Sequence, residues 1–317
     1  MGTVGIIANP AAGKDIRRLV SAASPTSDMA KIGIVRRALV GAIEGGADQI
    51  LIADDHKSLG RQAMREIDPT IDIAIEIVGD EVFPTSFHSR RMAELLRELG
   101  VGAMVTLGGD GTHRDIAKGW RDVPMVPVST GTNNVYPQMI EATVAGHAAA
   151  VAASGIVPIS AIAHQAKVLD VVGDAIDDDL ALIDIALVAG AFTASRAVWD
   201  VSALRELIVT TAEPATIGLS SIAAKVAPIG RKEPGGVYVR FGAGETVRAP
   251  IAPGLYHNVE IAESRHLSLG ESIIVEGPGV LAFDGERDVV MAPGQQVTIT
   301  LQANGPWVID TAAALSL

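Results

Sequence analysis

"VTLGGDGTHRDIAKG", residues 105–119, runs from β-branched and aliphatic side chains into two glycines, an aspartate, a third glycine and a threonine, then into a helical pattern. The run before the glycines reads as a buried strand and the run after them as a helix. The glycine-rich piece therefore lies at the carboxyl end of a strand, where open α/β sheets bind ligands. Glycines there permit positive φ and let phosphates approach backbone N–H groups, while the helix N-terminus adds a partial positive charge. The helix is expected to begin near Thr112, whose hydroxyl would cap it. Asp110 is then a carboxylate whose glycine neighbours strip away its cover. A tight turn with a solvated aspartate is the plain alternative.

Working outward, "TVGIIAN" (3–9), "QILIAD" (49–54), "IDIAIEIV" (71–78), "VGAMVTL" (101–107) and "PMVPVS" (124–129) read as short buried strands. Helical patterns separate them. Ile32, Val35, Leu39 and Ile43 share one face, as do Met92, Leu95, Leu96 and Leu99, the latter set ending at Gly100. A last helix is expected over 137–154, with Ile140, Val144 and Val151 on one side and Gly155 as its stop. This alternation predicts an α/β N-terminal domain over 1–155, its mainly parallel sheet covered on both faces. From Val157 onward, short apolar runs such as "KVLDVVGD", "ALIDIALV" and "QQVTITL" follow one another between Gly, Pro and Asp turns. They predict a C-terminal all-β sandwich domain over 156–317, whose last residues are free to return to the first domain. Only "TIGLSSIAAKVAP" (216–228) looks helical there.

A chain of 317 residues exceeds what one core usually organises, in keeping with two domains. Lys and Arg number 25 against 37 Asp and Glu, and the resulting charge of -12 repels nucleic acid. Aromatics at 3% offer no stacking platform for single strands. The lack of cysteine removes disulfides, thiolate nucleophiles and cysteine-ligated metals, and fits a reducing compartment. The N-terminus has no signal-peptide pattern. The weakly apolar stretch from Val144 contains His147, two serines and Pro158, so no membrane span is expected and the location is read as cytoplasmic.

Two common phosphate fingerprints fail. "ANPAAGKD" (8–15) has Asp15 where a Walker loop needs Ser or Thr, and "GGDGTHRD" has Arg114 where a dinucleotide fingerprint has its third glycine. A further loop, "STGTNNVYP" (129–137), offers hydroxyls at Ser129, Thr130 and Thr132, the flexible Gly131, and the amides of Asn133 and Asn134. Such residues suit a nucleotide and suit any loop equally.

In order along the chain, Asn9-Pro10 with Gly13, then "GGDGT" (108–112), "GTNN" (131–134) and "FDGE" (283–286) resemble the superfamily of NAD kinases, diacylglycerol kinases and sphingosine kinases, over nearly the whole length. "STGTNNVYP", "ASRAVWD" (194–200) and "EPATIGLSSIA" (213–223) are most similar to its branch of ATP-NAD kinases and acetoin catabolism protein X. The resemblance implies an NAD kinase-like first domain, a sandwich second domain and a site in the cleft between them. It implies ATP on Asn9, Gly108, Gly109, Gly111, Thr112, Thr130, Gly131, Thr132, Asn133 and Asn134, with Mg2+ carried by the phosphates and no metal held by protein ligands. It gives Asp110 the proton of an acceptor hydroxyl, by default the 2′-hydroxyl of NAD, yielding NADP. The lipid kinases use a late carboxylate instead, here Glu286. "LAFDGERDVV" reads equally as an Asp-Gly hairpin turn with Glu286 opening the return strand.

Departures from the NAD kinase pattern bear on the acceptor. Ile183 and Asp184 stand where those enzymes carry an Asn-Glu pair, and Gly218, Ser220 and Ser221 only loosely echo their dinucleotide-contacting helix entrance. Asp184, Gly218 and Ser220 are the expected substrate contacts. A lipid, another small hydroxylated metabolite, or a nucleotide sensor without transfer are the rivals; a lipid headgroup would call for an apolar slot or a basic membrane-facing patch, and this acidic chain shows no obvious basic cluster. Sandwich domains of the superfamily often mediate homo-oligomers. Among other residues, His113 is expected on the helix surface or at a phosphate, His147 at a domain contact, and Asp177, Asp178 and Asp179 at a solvated hairpin tip. Arg17 and Arg18 are candidates to steady phosphates.

Overall fold

Strands β1 (Thr3–Ala8), β2 (Gln49–Ala53), β3 (Ala74–Val78), β4 (Ala103–Gly108) and β5 (Pro124–Ser129) pair in parallel in the order β3-β2-β1-β4-β5. The computed structural model describes residues 2–12, 26–68, 70, 72–79, 82, 85–131, 133–173, 176–190 and 200–317. Five helices alternate with these strands: α1 (Asp28–Glu44), α2 (Leu59–Met64), α3 (Ser86–Glu98), α4 (Asp110–Gly119) and α5 (Ala142–Ser154). Successive strand residues face opposite sides, so each strand serves two cores. Val4, Ile6, Val105, Leu107, Val126 and Val128 pack with α1 and α5. Ile7, Met104 and Met125 turn the other way, onto Met92 and Leu96 of α3 and Ile116 of α4. Strand order reverses between β1 and β4, which opens a crevice at their carboxyl ends.

Helix α5 differs from its sequence pattern. It starts at Ala142, where the Glu141 carboxylate accepts from the Thr143 and Val144 N–H groups, and it buries Ala145, Gly146, Ala149 and Ala153 while Val144 is exposed. The small residues win because they let backbones meet: a Cβ on Gly146 would lie 2.0 Å from the Ala38 carbonyl oxygen, and one on Gly41 1.9 Å from that of Thr143. His147 packs beside Gly45 of α1, inside the first domain and not at a domain contact. Gly146→Ala is therefore expected to lose about 1–3 kcal/mol or more, despite the better helix propensity of alanine, which urea unfolding will measure.

The chain continues through α6 (Ile159–Ile162), β6 (Ala163–Gln165), β7 (Val168–Gly173), β8 (Ile176–Ala181), β9 (Asp184–Val188), β10 (Leu204–Val209) and α7 (Ser220–Val226). It ends with β11 (Gly236–Ala252), β12 (Leu255–Leu267), β13 (Ser272–Glu276), β14 (Gly279–Phe283), β15 (Glu286–Met291), β16 (Gln296–Gln302), β17 (Trp307–Ile309) and α8 (Thr311–Leu315). Two antiparallel sheets, β12-β11-β10-β9-β14-β15 and β13-β16-β7-β8, form the sandwich. Leu169, Val171, Val297 and Ile299 of the smaller sheet meet Ile185, Leu187, Ile208 and Phe283 of the larger in one core. The other face of the larger sheet takes Ile222 and Ala223 of α7. Strand β17 pairs in parallel with β5, and β6 pairs antiparallel with β17, so the first sheet has seven strands. Among the described residues, no helix is long and apolar enough to cross a membrane.

Candidate functional site

Three strand-end loops meet at the β1–β4 reversal. Asn9, just after β1, donates from Nδ2 to Thr112 Oγ1 at 2.8 Å and accepts the Ala11 N–H on Oδ1. The buried Lys31 of α1 gives its ammonium protons to the Pro10 and Ala12 carbonyls at 2.7 and 2.6 Å, shaping the same loop from below. After β5, Asn134 donates to Ser129 Oγ at 2.7 Å, and its Oδ1 lies 2.9 Å from where a Cβ on Gly109 would stand. Gly108 would likewise bring a Cβ to 2.5 Å from the Thr112 side chain. These glycines are thus required for close approach. Neither they nor Gly111 and Gly131 adopt positive φ, contrary to the sequence-based expectation.

Helix α4 begins at Asp110 with Gly109 as N-cap, two residues earlier than expected, so Thr112 lies inside the first turn and its hydroxyl serves Asn9 instead of capping. Asp110 is not bare. Its Oδ1 accepts the Val135 and Tyr136 N–H groups at 3.0 and 2.8 Å, and its Oδ2 lies 3.1 Å from the same Val135 nitrogen. The carboxylate thereby binds the 129–136 loop to the start of α4. Thr130 is buried, and its Oγ1 has no hydrogen-bond partner among the described residues. Gly131, Asn133 and Asn134 lie half-buried in the same loop. Thr132, Gly13, Arg17, Arg18 and most of the "ASRAVWD" segment lie outside the described residues.

The second domain reaches this crevice through the β14–β15 turn. Asp284 and Gly285 both have positive φ, 49° and 78°, as a two-residue Asp-Gly turn requires, and Glu286 opens the return strand opposite Phe283. The Asp284 carboxylate accepts from the N–H groups of Leu182, Ile183 and Asp184, stapling the bend at which the chain passes from β8 in one sheet to β9 in the other. Asp184 answers by accepting the Gly285 N–H at 3.1 Å, and it is buried. The exposed Glu286 has its Oε1 4.0 Å from the point a Cβ would occupy on Gly111, the nearest contact there among the described residues outside the helix's own turn. Gly218 and Ser220 sit elsewhere in the second domain: the Gly218 N–H donates to the Pro250 carbonyl of β11 at 3.0 Å, and Ser220 is fully buried.

Sequence reasoning missed the residue that joins the two domains here. Arg114 of α4 is buried and donates to the Leu180 carbonyl at 2.7 Å, to Asp179 at 2.7 Å and to Asp288 at 3.2 Å, with its guanidinium 4.4 Å from the Phe283 ring centroid. Asp179 also takes Lys118 at 2.9 Å, so it is an inter-domain ion-pair member and not a solvated hairpin residue. The signal was available: "THRDIAK" places Arg114 and Lys118 one turn apart on a helix, facing a chain otherwise rich in acids.

Its neighbours on α4 titrate in opposite senses. His113, expected at the surface, is fully buried, with Nδ1 2.7 Å from the Gly109 carbonyl and Nε2 2.9 Å from the Thr106 hydroxyl. A carbonyl only accepts, so Nδ1 carries a proton. Burial pulls its pKa down to about 4 against these two hydrogen bonds. Burial pushes Asp115 up to about 7, opposed by Arg114 and Lys118 and assisted by Glu286 and Asp179. His113 thus costs stability as pH falls from 6.5 to 4, whereas Asp115 restores it as pH falls from 7 toward 3.8, each by about 3–4 kcal/mol. Asp115→Asn removes the opposing contribution, and its urea stability is expected to fall through the His113 window more steeply than that of the parent.

Residues 4–156 match the family description "ATP-NAD kinase N-terminal domain", and residues 167–304 match "Acetoin catabolism protein X C-terminal domain". Acetoin catabolism protein X of Cupriavidus necator is 35% identical over 98% of this chain and 91% of its own length. The chain belongs to the acetoin catabolism protein X family. A solved Bacillus anthracis str. Sterne structure assigned as a diacylglycerol kinase covers 97% of both chains at 12% identity with a TM-score of 0.51. A second from the same source covers 97% of this chain and 96% of its own at 12% identity and 0.48. The first of these likenesses extends to the two-domain fold alone. This member of the acetoin catabolism protein X family therefore builds a kinase-type fold in which strand-end loops of one domain face a hairpin turn of the other.

Proposed function

We propose that the protein transfers the γ-phosphate of ATP to a hydroxyl of a small molecule, with the 2′-hydroxyl of NAD as the first acceptor to examine. The observation that carries this reading is the space beside Gly111. At the N-terminus of α4, where backbone N–H groups lack helical partners, a Cβ would meet, among the described residues outside its own turn, nothing nearer than Glu286 at 4.0 Å. A terminal phosphate on those N–H groups would lie between the first domain's Asp110 and the second domain's Glu286. Asn9, Thr112 and the unpartnered Thr130 hydroxyl supply further polar contacts.

Phosphoryl transfer asks mainly for placement and charge neutralisation. N–H and hydroxyl groups suit phosphates that bring their own Mg2+; among the described residues no cluster of three or more acidic or histidine side chains is placed to hold an ion. In this reading Asp110 sits beside the acceptor hydroxyl and receives its proton, while Glu286 borders the phosphate. The buried Asp184 weakens the specific case for NAD, since its carboxylate faces the Gly285 N–H. The name of the Cupriavidus necator relative adds acetoin, itself a hydroxyl compound, to the acceptors worth testing.

The test incubates the protein with γ-labelled ATP and Mg2+ beside NAD, acetoin and dispersed diacylglycerol in separate reactions. Label in NADP supports the reading as stated, and label in another acceptor keeps the kinase but moves its substrate. ATP binding without transfer to any acceptor would replace the kinase with a nucleotide sensor.

A further inference from the structure

The peptide that seats Asp110 is held from a second direction. Arg231 donates to the Val135 and Tyr136 carbonyls at 3.4 and 3.5 Å, and its guanidinium is paired with Glu213 at 2.9 Å. Arg231 and Tyr136 line a pocket with about 360 Å³ of unfilled space, its open mouth included, at the junction of the first sheet and the sandwich.

Two polar atoms in its wall have no partner among the described residues. Tyr136 Oη is buried without a hydrogen bond, and so is His164 Nδ1. Leaving such atoms unpaired costs about 1–3 kcal/mol each, and proteins of this kind satisfy nearly all of them. The charged residues in the lining are both cations, Lys167 and Arg231, and no carboxylate lines the pocket. Lys167 places its ammonium on the Gly230, Glu233 and Gly235 carbonyls, at 3.0, 2.8 and 2.8 Å, so its protons are engaged while its charge remains. The acids nearby are committed behind the wall, Glu213 to Arg231 and Asp310 to Lys232. The rest of the lining is Leu182, Ile183, Val308 and other aliphatic side chains, with Thr210 and Thr211, whose hydroxyls donate to the Leu182 and Ile229 carbonyls.

We infer that this pocket binds a small carboxylate with a short aliphatic body, its carboxylate taken by Tyr136 Oη and balanced by the Lys167 charge and its body laid on Leu182 and Ile183. Too little space is free for a nucleotide, and Glu213 already answers Arg231, so the charge that neutral water would leave unbalanced is that of Lys167, whose ammonium is held by carbonyls. The site shares the 135–136 peptide with the transfer crevice but requires no activity there, so its test is run without ATP.

Lactate and its neutral isostere lactamide are titrated into the whole protein by calorimetry, with Tyr136→Phe alongside. Saturable lactate binding is expected, about tenfold weaker for lactamide and about tenfold weaker again for lactate with Tyr136→Phe. That variant removes an atom without partners, so its melting temperature is expected at or above the parent's. Equal binding of lactate and lactamide by the parent, which needs no variant, would overturn the anion. No binding of lactate at millimolar concentration, or equal binding by Tyr136→Phe, would overturn the site and leave a hydrated pocket.

Discussion

In Asp110→Asn, phosphoryl transfer falls by about 100- to 10,000-fold while ATP affinity stays within a few-fold of the parent. The geometry makes asparagine the discriminating choice. The N–H groups of Val135 and Tyr136 converge on one oxygen of Asp110, Oδ1. An asparagine carbonyl can accept the same pair, so the substitution keeps these two hydrogen bonds to the 129–136 loop while it removes the negative charge and the basic site. If Asp110 acts solely to hold that loop, Asp110→Asn retains most activity and Asp110→Ala loses it. If it receives the proton, the two variants fail alike. Glu286→Gln in the same labelled-ATP assay covers the remaining case: a larger loss there than in Asp110→Asn assigns the proton to the second domain's carboxylate. Initial rates with saturating ATP and binding measured by calorimetry separate these outcomes.

Much of this arrangement could be read from residue order. Aliphatic runs ending in Asn9, Gly108 and Ser129 marked three strands with ligand-type loops at their carboxyl ends, and the sheet places β1, β4 and β5 side by side. The Asp-Gly pair at 284–285 predicted a hairpin turn with Glu286 at its exit, which the positive φ values bear out. Periodicity misled where packing depends on what is absent. The valines of α5 suggested an apolar face, yet the buried face is the one whose glycines admit the backbone of α1, because contact distance outweighs side-chain hydrophobicity there. Pairings between distant residues were beyond any local pattern. Nothing near His113 in sequence announces Thr106 as its partner across the strand-to-helix turn, and nothing near Asp110 announces the N–H groups of residues 135 and 136. Such contacts are set by how two loops are brought together, which a single chain's local spacing does not encode.

Arg114→Ala is expected to destabilise the protein by about 3–5 kcal/mol, the largest loss foreseen for any single side chain here. The residue is buried, and its three hydrogen-bond acceptors belong to β8 and β15 of the second domain while its backbone belongs to α4 of the first. Truncation leaves the Leu180 carbonyl and Asp288 without this donor and removes the cation stacked on Phe283, while Lys118 still serves Asp179. Arg114 also opposes the upward push of burial on the Asp284 carboxyl, so its loss acts on the staple that fixes the β8–β9 bend. Arg114→Lys recovers little, because one ammonium cannot reach three acceptors spread over two strands while covering an aromatic ring. Arg114→Met separates packing from charge: its stem keeps contact with Phe283, so any stability regained over alanine measures the apolar share. Urea unfolding at neutral pH reads all three, and a loss under about 1 kcal/mol for Arg114→Ala would place the cluster among solvent-screened surface pairs. The same variants bear on transfer. Arg114 lies two residues beyond Thr112 and grips the strand that starts at Glu286, so loosening it should separate the two carboxylates that border Gly111 and lower kcat/KM even where the chain still folds.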